Sequence, residues 1–514
     1  MNYDSLIVFI VLFVVFAIVG FLSSRFRRGN GTKLNEWSLA GRKLGAYLAW
    51  FLVGGDLYTA YTFIAVPSAE YAKGSIYMFA TPYVMATFAV ALITMTTLWK
   101  MSRKNNYFTG VDFVKDKYKS TTLAILIALT GIVAELPYIA LQIVGMKAVL
   151  QVLFAPFLHV TATATAVDDI ALIVSFAVLA AFTFWSGLRG AALTAVMKDG
   201  IILSSVIVVV IAVPLTISGG FHHAFQLATT MGSTKAVYPT LSPKLTNAYI
   251  SLFVLSALAL YLYPHAINGV LGSKNVKAVR FSTAMLPLYG LGLFLLTIFG
   301  VLVFAVPKAL SIVGYSSPTS LGNGSLVVPA LISATMPQWF VGYAFLGIFI
   351  GGLVPAAIMA ISQANLLTRN IIAEFRKDLT EKTEANIARW ASVGFIFLAL
   401  AFVFLIPATY AISLQLLGGI LITQTLPPIF VGMYTKFLDK NALIAGWVAG
   451  IGTGVYFVEA ANNFGSPTNS LMSTPFGLLY VAAVALFINL VVVFIWSLAA
   501  NTFKRSPSEE PQKA

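Results

Sequence analysis

Five ionisable positions sit where this chain is otherwise apolar. Asp56 follows Gly54-Gly55, Glu135 lies two residues before Pro137, Lys198 and Asp199 are adjacent, and His265 follows Tyr263-Pro264. A charge at bilayer depth costs on the order of 3 kcal/mol on insertion scales, so such residues pair, exchange protons or line a solute path. A buried carboxyl can keep its proton and a buried lysine can lose one, which makes these groups candidates for proton coupling. Two of the positions coincide with helix breakers. Paired glycines loosen a membrane helix, and proline removes a backbone donor and clashes with the preceding turn. The backbone groups so freed must be satisfied by a neighbour, a cavity or a bound solute. The amide end of a half-helix beginning after Gly55 would favour an anion, such as a carboxylate. Tyr58, Thr59, Tyr61, Tyr138, Gln142, Tyr261, Tyr263 and His265 surround the two breaks and offer hydroxyl, amide and imidazole groups to such a solute. Each aromatic alone reads as packing or interface belt; it is their grouping around both breaks that singles them out.

The elements that must position these residues are membrane helices. Of 514 residues, 59% are hydrophobic and only 10% are charged, where a soluble domain carries about 25% charge. About thirteen continuous apolar stretches are long enough to span a hydrocarbon core of roughly 30 Å. They lie near 5–22, 46–66, 76–99, 121–153, 169–185, 190–215, 247–270, 281–305, 338–366, 387–406, 411–433, 441–459 and 475–499. The runs are continuous rather than alternating, so helices and not barrel strands are expected. Arg25, Arg27, Arg28, Arg42, Lys43, Lys100, Arg103, Lys104, Lys115, Lys117 and Lys119 fall in connections on one side, against little more than Lys73, Lys235, Lys244 and Lys308 on the other. The positive-inside rule therefore places the N-terminus outside and the C-terminus in the cytoplasm of a multi-pass cell-membrane protein. The net charge of +14 reads as a topology determinant facing anionic lipid, not as a nucleic-acid surface. The absence of cysteine excludes disulfide and thiol chemistry. The first stretch is expected to be an anchor rather than a cleaved signal, and the tail beyond Asn501 a short polar extension. No P-loop, HExxH, Cys/His cluster or nucleophile elbow is present, so neither an enzyme nor an ATP-driven pump is expected, and no cofactor.

Five stretches separate the break at Gly54-Gly55 from the break at Pro264. That spacing suits two inverted repeats, 46–245 and 246–435, each opening with a discontinuous helix. They would be flanked by an extra helix and basic loop in 1–45, two helices in 436–500 and a tail in 501–514. Breaks in corresponding positions point to a binding site near the midplane of a secondary transporter. Gly418-Gly419 in the eleventh stretch reads either as a mobile gating helix or as a close helix contact.

Gly54-Gly55-Asp56-Leu57-Tyr58-Thr59-Ala60 with Pro67, Tyr263-Pro264-His265, and Ala356-Ala357-Ile358-Met359 followed by Asn365-Leu366-Leu367 resemble the solute:sodium symporter family over essentially the whole chain. Trp50 to Phe63, Leu136 to Gln142 and Asn365 to Asn370 look most like its bacterial monocarboxylate uptake permeases. The resemblance implies a LeuT-type 5+5 inverted-repeat fold and alternating-access import of small carboxylates of the lactate, pyruvate, acetate and propionate class, coupled to a cation. It also implies a sodium cage drawing on the backbone of Gly54, Leu57 and Ala357 and on two hydroxyls that would fall at Ala360 and Ile361. Neither side chain has an oxygen, and a hard cation needs several. Protons are the alternative, with Asp56, Glu135, Lys198 and Asp199 as candidates. Lys198 has two readings: an ammonium beside the cage, or a side chain snorkelling to the cytoplasmic face with Asp199 as its partner. Neighbours in sequence are not expected to face one bundle centre together. Beside the carboxylate importer stand a sodium-coupled importer of another small solute, such as an amino acid, and, in another class, a membrane sensor or channel.

Overall fold

A computed structural model describes residues 3–505 apart from 24–33, 56, 234–235, 239, 377 and 407–410. Asp56 therefore lies outside the described residues. The chain is nearly all helical, and eleven helices among the described residues are long and apolar enough to cross a membrane. Asp4–Gly20 forms a shorter apolar helix. The stretch at 46–66 is divided as expected from its glycines: helix α1 (Ala46–Gly54) ends at the break, and helix α2 (Val66–Lys73) follows a π-helical turn over Tyr61–Ala65. The last stretch differs from expectation. A hairpin pairs Leu471–Thr474 with Gly477–Tyr480, and the helix begins only at Val481, because the turn needs Gly477 at φ 95°.

Four further helices position the candidate residues. They are α3 (Thr121–Phe154), α4 (Thr165–Leu215), α5 (Pro264–Leu271) and α6 (Pro287–Thr297). Helix α4 joins two expected spans across Gly187, whose φ of 57° breaks the helix, and an added Cβ there would lie 2.7 Å from the Trp37 ring. At the centre runs α7 (Gln338–Asn365), buried from Phe340 onward along most of its length. Small residues let it approach its neighbours closely, as membrane helices require. A Cβ at Gly352 would lie 3.0 Å from the Gln142 carbonyl, and one at Gly351 would lie 3.4 Å from the Tyr58 carbonyl. Thus α7 touches both α3 and the first break.

The Lys/Arg-rich connections gather at one end of the bundle. Arg103 donates to the carbonyls of Arg42 (3.2 Å) and Lys274 (2.9 Å), Lys115 pairs with Glu374, and Lys117 donates to the carbonyls of Gly432 and Thr435. At the other end Ser75 N–H donates to the Val237 carbonyl (3.1 Å) and the Tyr71 hydroxyl to that of Leu321 (2.7 Å). The sequence has no cysteine, so single cysteines report sidedness without background. With the basic end in the cytoplasm, Thr319→Cys should react with a membrane-impermeant maleimide on intact cells, and Lys104→Cys only after permeabilisation. The reverse pattern would invert the orientation.

Candidate functional site

The first break starts where the Gly55 N–H donates to the Phe51 carbonyl (2.9 Å) and the chain then leaves the helix. Both glycines are required by what packs on them. A Cβ at Gly54 would lie 2.8 Å from Tyr289 Cζ; one at Gly55 would lie 2.6 Å from Asp199 Oδ1 and 2.7 Å from Lys198 Nζ. Beyond the break the amide end is already engaged. Ala60 N–H donates to Gln142 Oε1 and Tyr61 N–H to the Thr59 hydroxyl, both at 3.0 Å. The expectation that these amides stand open to a carboxylate is therefore corrected: at residues 60 and 61 protein oxygens occupy them.

Lys198 lies at this break and does not reach the cytoplasmic face. Its ammonium donates to the Gly55 carbonyl and pairs with Asp199 Oδ1 at 2.9 Å, with both side chains buried. A cation at the carbonyl end of α1 also complements the helix dipole. The Tyr289 hydroxyl donates to Asp199 Oδ2 (2.9 Å). Lys198 and Asp199 thus do share one site, contrary to expectation, because the long lysine side chain turns back onto its neighbour's carboxylate. Tyr58 belongs here too: its ring packs 4.9 Å from that of Tyr289 and its hydroxyl lies against Gly292 of α6. That separates Tyr58 from the other tyrosines expected around a solute.

At the second break Tyr263 is extended (φ −62°, ψ 136°) and Pro264 opens α5. The donors freed there meet one carboxylate. Glu135 Oε1 accepts from the His265 N–H (2.8 Å) and lies 2.6 Å from His265 Nδ1, while Oε2 accepts from the Ser362 hydroxyl (2.7 Å). His265 was expected to offer its imidazole to a solute; its Nδ1 faces Glu135. Gln363 on α7 donates to the Ile132 carbonyl at 2.7 Å, which clamps α7 to α3 beside the triad. Glu135 and Gln142 are seven residues apart on α3, hence on one face and about 10 Å apart along it. One caps the second half-helix and the other the first.

Between the breaks lies a buried aromatic cluster. Tyr61 meets Tyr83 edge-on (5.9 Å), and the Tyr138 ring lies 5.5 Å from Tyr263 and 5.7 Å from His265. Tyr480 joins from the hairpin, its hydroxyl donating to the Leu416 carbonyl (2.5 Å), while Tyr261 is buried on the turn before Tyr263. Nothing in the sequence marks Tyr83, Tyr289 and Tyr480 apart from other aromatics, and these were missed. Ala357, Ala360 and Ile361 are fully buried on α7. Of the carbonyls expected to cage sodium, Gly54 accepts from the Leu57 N–H (2.9 Å) and Leu57 from the Thr62 hydroxyl (2.5 Å).

The profile of the Sodium:solute symporter family matches residues 37–450. The chain belongs to this family. A monocarboxylate transport permease protein of Rhizobium johnstonii is 38% identical over 96% of both chains. The sodium/pantothenate symporter of Escherichia coli is 25% identical over 88% of this chain and 89% of its own. Among solved structures, a Na+-coupled sialic acid symporter superposes with a TM-score of 0.72 at 12% identity, covering 97% of this chain and 98% of its own. This likeness gives the symporter a LeuT-type fold. It is a multi-pass membrane transporter and not an enzyme.

The packing at Gly55 yields a direct test. Overpacking of this kind costs about 1–3 kcal/mol, so Gly55→Ala should displace Lys198 and lower uptake roughly tenfold or more in reconstituted vesicles. Gly452→Ala, where no atom lies within 4 Å of the added Cβ, should keep wild-type uptake.

Proposed function

We propose that this symporter imports small monocarboxylates of the lactate, pyruvate, acetate and propionate class by alternating access, with protons rather than sodium as the coupling cation. The observation that carries the coupling is the buried Lys198 ammonium on the Gly55 carbonyl beside Asp199. A fixed ammonium at the break supplies the positive charge that a bound sodium ion would bring. The side chains of Ala360 and Ile361 have no oxygen to offer such an ion, and Ser362, the next hydroxyl along α7, is committed to Glu135. A lysine that exchanges its proton can cycle between charged and neutral as the site is exposed to either side.

The substrate class rests on the Rhizobium relative, whose printed name is that of a monocarboxylate permease. The tyrosine cluster supports it with hydroxyl donors near both half-helix ends, suited to a small carboxylate between Tyr61, Tyr138 and Tyr263. Asp56 stays a candidate for coupling by its sequence position, and the division into two inverted repeats remains part of the proposal. The name of the Escherichia coli relative favours a second reading, sodium-coupled import of another acid.

In proteoliposomes, an inward proton gradient without sodium should drive accumulation of labelled lactate, and a sodium gradient at equal pH should not. Obligatory sodium dependence with no response to the pH gradient would refute proton coupling. Competition by propionate and acetate but not by proline or pantothenate should hold in the same vesicles; the opposite pattern would refute the substrate class. Lys198→Gln should lower gradient-driven accumulation at least about tenfold.

A further inference from the structure

One buried acid takes no part in either break. Glu70 lies on α2, three residues before its end at Lys73 and at the Lys/Arg-poor end of the bundle. It is the only charged residue between Leu57 and Ala72. Its exposure is 0%, and among the described residues neither carboxylate oxygen has a hydrogen-bond partner. That contrasts with Glu135, Asp199 and Asp168, each held by a cation, an imidazole or a hydroxyl. An ionised carboxylate without partners is far costlier to bury than a neutral acid.

Among the described residues the surroundings bring no compensating charge. The helix Phe299–Leu302 presses on this turn, where a Cβ at Gly300 would lie 2.8 Å from Glu70 Cβ. That helix, the turn Gly324–Leu326, the helix Val327–Thr335 and the helix Ala411–Ile422 carry no ionisable residue. Among the described residues, the other elements in extensive contact with α2 bring only tyrosines: Tyr61 from the π-turn, Tyr77 from the turn after Gly74, and Tyr289 from α6. Tyr238 lies close enough to Glu70 to feel its charge, and its hydroxyl donates to the carbonyl of Tyr71, the residue next in chain. Lys73, one turn on, points its ammonium to the Tyr77 hydroxyl (3.4 Å). Tyr71 in turn stacks on Phe304 (4.9 Å) and bonds the Leu321 carbonyl (2.7 Å). Glu70 is thus sealed under Tyr71 and Tyr238, about 13 Å along the helix from Tyr61 at the aromatic cluster.

We propose that Glu70 is a proton-binding site of the transport cycle, a neutral acid while α2 is closed under Tyr238 and Tyr71, and one that exchanges its proton with water when this closure parts. The step breaks the carboxyl O–H bond, passes the proton to water and leaves a hydrated carboxylate; it needs no other reactant. The site is defined without reference to the coupling ion. That its proton moves with substrate alongside the exchange at Lys198 rests on the proton-coupled reading above.

Infrared difference spectroscopy of the full-length protein in lipid nanodiscs tests the site. The wild type should show a protonated-carboxyl C=O band that Glu70→Gln lacks, that shifts on exchange into D2O and that falls as external pH is raised. A wild-type band unchanged by Glu70→Gln, or one that neither exchanges nor responds to pH, would overturn the proposal. In vesicles, wild-type lactate uptake should vary roughly tenfold between about external pH 6 and 8, and Glu70→Gln uptake should vary clearly less, with lactate exchange at constant pH retained. A merely structural acid would leave the pH profile of Glu70→Gln unchanged and would overturn the assignment. Glu70→Asp, which keeps the acid, should retain a displaced profile. If wild-type uptake follows sodium alone, proton coupling fails, and the infrared band decides Glu70 by itself.

Discussion

Breaking a helix inside a membrane leaves N–H and C=O groups that no water is there to satisfy, and this symporter meets that demand largely from one helix. Helix α3 carries Gln142 to the amide end of the first half-helix and Glu135 to that of the second, seven residues apart on one face. Lys198 completes the scheme from the opposite pole by taking the Gly55 carbonyl at the end of α1. Each break is therefore closed by a side chain of suitable sign: anionic or amide oxygens at amide ends, a cation at a carbonyl end. Without these three contacts the discontinuous helices would have unpaired backbone at bilayer depth, at a cost of several kcal/mol per group.

The same contacts tie the moving parts together. Ser362 and Gln363 on α7 reach Glu135 and the carbonyl of Ile132, so α3, α5 and α7 meet at the second break. Tyr289 on α6 reaches Asp199 and lies over Gly54, so α1, α4 and α6 meet at the first. Any proton that enters or leaves the Lys198–Asp199 pair or the Glu135–His265 pair changes how firmly three helices are held at once. Protonation and helix packing are thereby coupled through short contacts.

Much of this was legible in the sequence, and the reasons are specific. Gly54-Gly55 and Pro264 announce their breaks because glycine and proline act on the backbone itself. Glu135, Lys198 and Asp199 stand out because a charge in an apolar run is rare. Their partners do not show: Glu135 and His265 are 130 residues apart, and only the crossing of α3 and α5 brings them together. That Lys198 and Asp199 share one buried site was misjudged because helix-face reasoning follows Cβ directions, and a lysine has four carbons with which to depart from its own. Tyr83, Tyr289 and Tyr480 are three of 21 tyrosines, with no local feature to distinguish them. Glu70 was missed because it lies beyond the apolar stretch 46–66, where an acid in a connection draws no attention; only the fold shows that it is buried.

In the proton-coupled cycle proposed above, the Lys198 ammonium takes the place of a coupling sodium ion at the first break. Equilibrium binding of radioactive sodium to the purified protein tests it most directly, because it needs neither a known substrate nor a gradient. With the ammonium in that place, the wild type should show no saturable sodium binding at neutral pH. Saturable binding of one ion per chain in the wild type, weakened by disruption of the Gly55 region, would contradict it.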